Sequence, residues 1–172
     1  YAVATIFLLV FFLYLGNFLG GLVVWNLFFA LPSDVFQIIM FAIDPLFMDL
    51  LIFLFPAGLV CLWVLAVERR SPIGLGFYKE KAWLELLKGG LIGFLLIGAV
   101  VGLQVLTGSI HLSYFDFSFE NILNLILILP FWFIQSGTEE LLTRGWLFPV
   151  VSKNTRIWIG TAVSSLLFAI LH

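Results

Sequence analysis

The stretch of sequence that decides the fold is QSGTEELLTRGWLFPVVSKNTRIWIGTAVSSLLFAILH, residues 135–172. It carries two adjacent carboxylates, Glu139 and Glu140, then Arg144 and finally His172, all among apolar residues. Ionisable side chains are costly at membrane depth, where they pair with one another and mark functional sites. The stretch therefore predicts an internally paired site inside a membrane protein.

Composition places the whole chain in a bilayer. Of its 172 residues, 63% are hydrophobic and 10% are charged, whereas a soluble domain is about 45–50% apolar and about 25% charged. The net charge of −2 is small and the sequence has no long Lys/Arg run, which excludes a nucleic-acid partner. The first partner that the composition predicts is membrane lipid.

Five apolar stretches are candidates for crossing the membrane, since about 20 helical residues span a hydrocarbon core about 30 Å thick. They are residues 2–31, 46–67, 89–107, 121–151 and 157–172. We therefore expect an all-α fold, a polytopic transmembrane helical bundle that forms a single domain over residues 1–172. The fifth stretch is short, so we expect a fragment whose carboxy-terminal part is missing.

Three residues predict local features of the first two spans. Gly16 and Gly20 lie one helical turn apart, a spacing that lets a second helix approach the first closely. Pro56 has no amide hydrogen for a helical bond and is expected to kink the second span. A straight helix over residues 121–151 would reach about 45 Å, so a tilt, a protruding end or a break near Pro130 or Gly137 is expected there.

Basic residues set the predicted orientation, because cytoplasmic loops carry an excess of Lys and Arg. Two loops hold these residues: Arg69, Arg70, Lys79, Lys81 and Lys88 after the second stretch, and Lys153 and Arg156 after the fourth. The other two loops, residues 32–45 and 108–120, carry acids and no Lys or Arg. We expect a multi-pass protein whose amino terminus and basic loops are cytoplasmic.

Helical spacing separates the two adjacent carboxylates. Residues four apart stack on one helix face, so Glu140 and Arg144 are expected to pair. Glu139 lies about 100° round the helix. Its face is shared by Gln135, Thr143 and Trp146. One carboxylate would thus be held by the arginine while the other remains available, the division by which proteins separate an acid/base group from a structural one.

The last apolar stretch repeats the four-residue spacing at Phe168 and His172. At 1.5 Å per residue, Glu139 and His172 lie about 18 Å and about 24 Å from the turn that joins their helices, so a tilt would bring them level. A Glu-Glu pair near a helix end is usually solvated, and an isolated histidine usually packs in a core. Their similar depth in consecutive spans favours a joint site.

These motifs resemble those of a known family. Glu139-Glu140-x-x-x-Arg144-Gly145 and the later Phe168-x-x-x-His172 are similar to the first two motifs of the CAAX prenyl protease and bacteriocin-processing family of intramembrane endopeptidases. The loop of residues 69–76, with Leu75-Gly76, is similar to that of bacterial members. The resemblance implies an all-helical bundle in a bacterial plasma membrane, with an active site that opens toward the cytoplasm.

The resemblance also implies roles for the four residues. Glu139 would be the general base that activates water, Glu140 and Arg144 the supporting pair, and His172 would hold or polarise the water. A further histidine and an asparagine or aspartate would come from a later helix that this sequence does not contain. The substrate would be a membrane-associated peptide or protein, prenylated or leader-bearing, in maturation or bacteriocin processing.

Cofactor use and catalysis each leave an alternative open. Glu139 and His172 are also candidate zinc ligands, but a catalytic zinc site takes three protein ligands. We therefore expect no cofactor, with zinc as the alternative. A non-catalytic membrane scaffold, binding partner helices in a membrane complex through the same fold, is the alternative to a protease.

Overall fold

The computed structural model describes residues 2–42, 45–77, 80–111, 114 and 117–171. Among them the regular elements are helices, so the predicted all-α, polytopic class is confirmed. In chain order the helices are α1 (Ala2–Phe29), α2 (Ser33–Ala42), α3 (Pro45–Ile52), α4 (Leu54–Ala66), a 3-10 turn (Pro72–Leu75), α5 (Ala82–Leu106), α6 (Phe119–Glu140), a π-helical segment (Leu141–Leu147), α7 (Phe148–Asn154) and α8 (Ile157–Leu171).

The chain divides into two compact units. The first comprises Tyr1–Phe77 and Leu125–His172, and the second comprises Tyr78–Asn124. In the second unit, Lys88 Nζ on α5 lies 3.0 Å from Glu85 Oε1, one turn away. That pair lies within the amino-terminal turns of α5. This helix begins at Ala82, ahead of residue 89, where the third span was predicted to start. The prediction of a single domain over the whole chain stays a prediction.

Within the described ranges, four helical stretches are long and apolar enough to cross a membrane. They are Val3–Phe29, Leu46–Ala66, Ala82–Leu106 and Phe119–Asn154. These agree with the first four predicted spans. The fifth is present as a shorter apolar helix, Ile157–Ile170. The chain is therefore an integral membrane protein, and its predicted orientation stays a prediction.

In the first unit, α1 packs closely on α3 and α4. A Cβ atom added to Gly16 would lie 2.5 Å from the backbone nitrogen of Pro56, and one added to Gly20 would lie 2.8 Å from Ile52 Cγ2. The predicted close approach of a second helix at these glycines is confirmed. It brings the amino-terminal helix, with Leu13 and Asn17, against the centre of the unit.

The second span is interrupted at Phe53, between α3 and α4. Pro56 cannot donate to the carbonyl of Ile52, and its ring crowds that carbonyl, so regular helix cannot run through this point. The irregularity predicted at Pro56 is thus present as a break three residues earlier. The Phe53 carbonyl oxygen accepts from the Ala57 N–H at 3.4 Å. The Thr138 hydroxyl of α6 lies 3.0 Å from the same oxygen and 2.8 Å from the Ile134 carbonyl of its own helix, so it can donate to either.

Replacing Gly16 by alanine is expected to destabilise the protein, because the new methyl group would overlap the Pro56 backbone. Overpacking of this kind costs about 1–3 kcal/mol. Thermal unfolding in detergent measures the effect. Gly21→Ala on the same helix is the control, since nothing lies within 4 Å of a Cβ there; equal unfolding temperatures for the two variants would contradict the close contact.

The core of the first unit is built by α1, α4, the π-helical segment and α7. Its fully buried side chains include Leu9, Val60, Val64, Leu142, Trp146, Leu147 and Val151. The Trp146 ring meets the ring of Phe12 edge-on, with centroids 5.5 Å apart. The π-helical segment is therefore held at the centre of the unit, immediately after the two predicted site carboxylates.

Candidate active site

The site is built where α6 changes into the π-helical segment. Glu139 and Glu140 are the last two residues of α6, and Arg144 is the fourth residue of the segment Leu141–Leu147. At its end the Phe148 N–H bonds to the Thr143 carbonyl, five residues back. Single π turns inside α-helices are rare and occur frequently at functional sites. Helix α6 runs through Pro130 and Gly137 without a break, so the predicted break at these residues is wrong, and the alternatives of a tilt or a protruding end stay predictions.

The predicted pair of Glu140 and Arg144 is present. Arg144 Nη1 donates to Glu140 Oε1, and the guanidinium carbon lies 5.6 Å from the centre of the Phe168 ring on α8. A cation over an aromatic face is attracted by the ring quadrupole. Arg144 therefore links the acidic end of α6 to the helix that carries the second motif.

Glu139 points to a different set of partners. Gln135 Nε2 donates to Glu139 Oε1 at 3.2 Å, and the Thr143 hydroxyl donates to the Glu139 backbone carbonyl at 2.6 Å. The two neighbouring carboxylates are thus held apart, as the helical spacing predicts. Glu140 faces the arginine, and Glu139 faces a cavity.

The cavity beside Glu139 has a volume of about 400 Å³. Its apolar wall comes from α1, the π-helical segment, α8 and the Phe53 turn, and its polar lining from α1, α6 and the π-helical segment. The lining residues are Leu13, Tyr14, Asn17, Phe53, Gln135, Glu139, Leu142, Thr143 and Phe168. An apolar pocket with a few convergent polar groups is the usual form of a small-molecule or peptide site. Glu139 is the carboxylate in this lining.

A second cavity, of about 350 Å³, lies beside the Glu140–Arg144 pair. Its lining is drawn from the 3-10 turn region, the end of α6 and the π-helical segment: Leu75, Gly76, Phe77, Gly137, Glu140, Leu141, Arg144 and Gly145. Gly145 has no side chain here because a Cβ would overlap the Leu75 carbonyl oxygen. The loop after α4 therefore reaches the same helical segment as the site.

Comparison with protein families gives one match. Residues 120–172 match the family described as Rce1-like, type II CAAX prenyl endopeptidase. This part of the chain is similar to the type II CAAX prenyl endopeptidases. The match covers both sequence motifs, and it confirms the resemblance drawn from them. Neither the curated proteins nor the solved structures gave a match.

Within the CAAX endopeptidase-like part of the chain, the structure tests some of the predicted positions. Phe168 lies at the cavity and under Arg144, so the first residue of the second motif does come to the carboxylates. His172 lies outside the described residues, so its placement stays a prediction. Trp146 was expected on the face of Glu139. Its indole nitrogen instead bonds to Glu68 Oε1 at 2.7 Å, because the wider π turn changes the angular spacing.

Two polar residues of the cavity were missed by sequence reasoning. Neither Asn17 nor Tyr14 is among the predicted site residues. Both lie on the face of α1 that lines the Glu139 cavity. The only available signal was that Asn17 and Asn26 are the strongly polar side chains of the first span. Asn26 bonds to the Leu22 carbonyl of its own helix at 2.5 Å, which leaves Asn17 as the functional candidate.

The fit of a metal can be judged from the donor groups. Among the residues that the structure describes, no three His, Cys, Asp or Glu side chains come together. A catalytic zinc ion takes three protein ligands. Of the two candidate ligands, Glu139 and His172, only Glu139 is described, so the zinc alternative stays a prediction.

Proposed function

We propose that this protein is an intramembrane endopeptidase that hydrolyses peptide bonds of membrane-associated substrates. The observation that carries the proposal is Glu139. Its carboxylate lines an apolar cavity inside a span whose sequence matches the CAAX endopeptidase family. Prenylated or leader-bearing peptides are the proposed substrates, and CAAX maturation or bacteriocin processing is the proposed context.

In the proposed reaction Glu139 is the general base. Its carboxylate takes a proton from a water molecule in the cavity, and the hydroxide oxygen bonds to the carbonyl carbon of the substrate peptide. The tetrahedral intermediate then collapses with cleavage of the C–N bond, and Glu139 returns its proton to the leaving amine. A positioned base of this kind contributes about 10²–10⁴-fold in rate.

The Glu140–Arg144 pair has a supporting role. Arg144 holds Glu140 in an ion pair, and the separate position of Glu139 beside the cavity lets it act as the base. Gln135 holds one Glu139 oxygen at 3.2 Å and so orients the base. His172, four residues beyond Phe168 in sequence, is proposed to hold or polarise the water.

Metal-independent chemistry is proposed, with zinc as the alternative to be tested. Metal analysis of the purified protein and cleavage in the presence of a chelator distinguish the two. Chelator-insensitive cleavage supports the glutamate mechanism. Loss of a stoichiometric metal together with activity would contradict the glutamate mechanism and support the zinc alternative.

Asn17 is proposed to bind the substrate backbone or the water across the cavity, since its carboxamide both donates and accepts hydrogen bonds. Asn17→Ala is expected to lower kcat/KM by about tenfold, the loss of roughly one hydrogen bond of about 1.4 kcal/mol. Cleavage kinetics measure the effect. Asn26→Ala is the matched control, because the Asn26 amide bonds within its own helix. Equal losses of kcat/KM in the two variants would show that Asn17 has no role in the site.

The direct test of the function is cleavage in a membrane. The purified protein is reconstituted in liposomes with lipid-anchored peptides that carry a fluorophore and a quencher on either side of the scissile bond. Time-dependent fluorescence and new peptide termini in mass spectra are expected. No cleavage of prenylated, leader-bearing or simple transmembrane peptides would favour a scaffold that binds partner helices.

A further inference from the structure

The loop after α4, residues 68–77, contacts the π-helical segment at two points. Glu68 Oε1 accepts a hydrogen bond from Trp146 Nε1 at 2.7 Å. The Leu75 backbone lies against Gly145, so closely that a Cβ on Gly145 would overlap the Leu75 carbonyl oxygen. We name this loop, from Glu68 to Phe77, the clamp loop.

The clamp loop has an ordered backbone of its own. Ser71 Oγ accepts a hydrogen bond from the Ile73 N–H at 3.3 Å and so caps the 3-10 turn Pro72–Leu75. Gly76 ends the turn with φ +114°, a conformation that side chains disfavour. Leu75 is buried, with 4% of its surface exposed. Because the clamp loop is ordered, it can fix the position of the helical segment that it contacts.

The Glu68 carboxylate is used on both oxygens. Oε1 bonds to Trp146, and Oε2 lies 2.6 Å from Arg70 Nε, so the charge is compensated within the loop. Trp146 is 1% exposed and its ring packs on Phe12. A buried indole N–H needs an acceptor, and among the described contacts Glu68 provides it.

This bond lies within two residues of the site. Trp146 follows Arg144 in the same π-helical segment, and Thr143 of that segment bonds to the Glu139 carbonyl at 2.6 Å. A π turn is an unfavourable helix form that persists only where its surroundings hold it. An α-helical path through residues 141–147 would change the angle between Glu139 and every later residue.

We propose that Glu68 and Trp146 are positioning residues: their bond holds the π turn, and the π turn holds Arg144 against Glu140 and Phe168 while Glu139 faces the cavity. The effect on catalysis rests on the proposed function. The coupling between the clamp loop and the π-helical segment does not depend on the proposed function. Neither residue touches the cavity of Glu139, so the role acts through the helix and not on the substrate.

The experiment compares Trp146→Phe, Glu68→Ala and Glu68→Gln by two readouts. Hydrogen exchange followed by mass spectrometry reports the backbone of residues 139–148, and cleavage kinetics report kcat and KM. Trp146→Phe and Glu68→Ala are expected to speed exchange locally and to lower kcat about 10- to 100-fold with KM unchanged, the effect of misplacing a catalytic group. Glu68→Gln keeps an acceptor for the indole N–H. It is expected to retain most of the protection from hydrogen exchange and most of kcat.

Val60→Ala is the control for a loss of stability alone. Val60 is fully buried on α4 and belongs to neither the clamp loop nor the site. This variant is expected to unfold at a lower temperature while keeping wild-type kcat wherever it is folded. The double variant Glu68→Ala/Trp146→Phe should be no worse than either single variant, because both remove the same bond.

Three results decide the proposal. An unchanged kcat in Trp146→Phe, or a loss in Glu68→Gln as large as in Glu68→Ala, would overturn the positioning role. Faster exchange spread evenly over the chain, as in Val60→Ala, would overturn the local coupling. Faster exchange confined to residues 139–148 in a protein that cleaves no peptide would support the clamp and overturn the proposed function.

Discussion

Glu139→Gln is expected to abolish peptide cleavage, with a loss of kcat of about 10²–10⁴-fold, the contribution of a general base. The substituted amide has nearly the same shape and can still accept the hydrogen bond from Gln135. It cannot take a proton from water. Expression, reconstitution and the unfolding temperature should therefore stay close to those of the wild type.

The matched control is Glu85→Gln, which removes a carboxylate that pairs with Lys88 on α5 and lines neither cavity. Cleavage assays in liposomes should show wild-type rates for this variant. Full cleavage by Glu139→Gln would remove Glu139 as the base. Full cellular function without any detectable cleavage would instead favour the scaffold.

Arg144→Leu is expected to destabilise the protein more than Glu139→Gln does. Arg144 pairs with Glu140 and lies over the Phe168 ring, so its removal strands a carboxylate in an apolar span and also frees α8 from a contact. Because both side chains are partly exposed, the ion pair contributes at most about 1 kcal/mol, and the ring contact adds about 0.5–1 kcal/mol. The measurement is thermal unfolding in detergent and in liposomes.

Two further variants separate the effect of the unpaired Glu140 charge from the other effects of removing Arg144. Glu140→Gln combined with Arg144→Leu leaves no unpaired ion and is expected to recover part of the lost stability. Arg144→Lys keeps the cation but loses the planar fork and the ring contact. Its unfolding temperature should therefore lie between those of the wild type and Arg144→Leu. Equal unfolding temperatures for Arg144→Leu and Glu139→Gln would show that the pair does not stabilise the fold.

Much of this arrangement follows from local rules. The Glu140–Arg144 pair is predictable because both residues lie within one helical turn, whatever surrounds them. The four spans follow from length and apolarity. The approach at Gly16 follows from the small-residue spacing, although its partner, Pro56, could not be named in advance.

Other parts depend on tertiary contacts that no local pattern encodes. The π turn at Leu141–Leu147 has ordinary residues, and its contacts with Leu75 and Glu68, far away in sequence, are made at Gly145 and Trp146. The same applies to Asn17. Its position in the Glu139 cavity depends on how α1 rotates against α4, and the uniformly apolar first span gives no stripe from which to read that rotation.

The π turn also makes the chain sensitive to length. A π turn takes up one residue more than an α turn, so a deletion between Leu141 and Leu147 can be absorbed by a return to α-helix. Inserting one residue there would instead rotate everything downstream by about 100°. Trp146 would leave Glu68, and the α7–α8 hairpin would carry Phe168 off the carboxylates. Within this segment an inserted residue should therefore be more damaging than a deleted one.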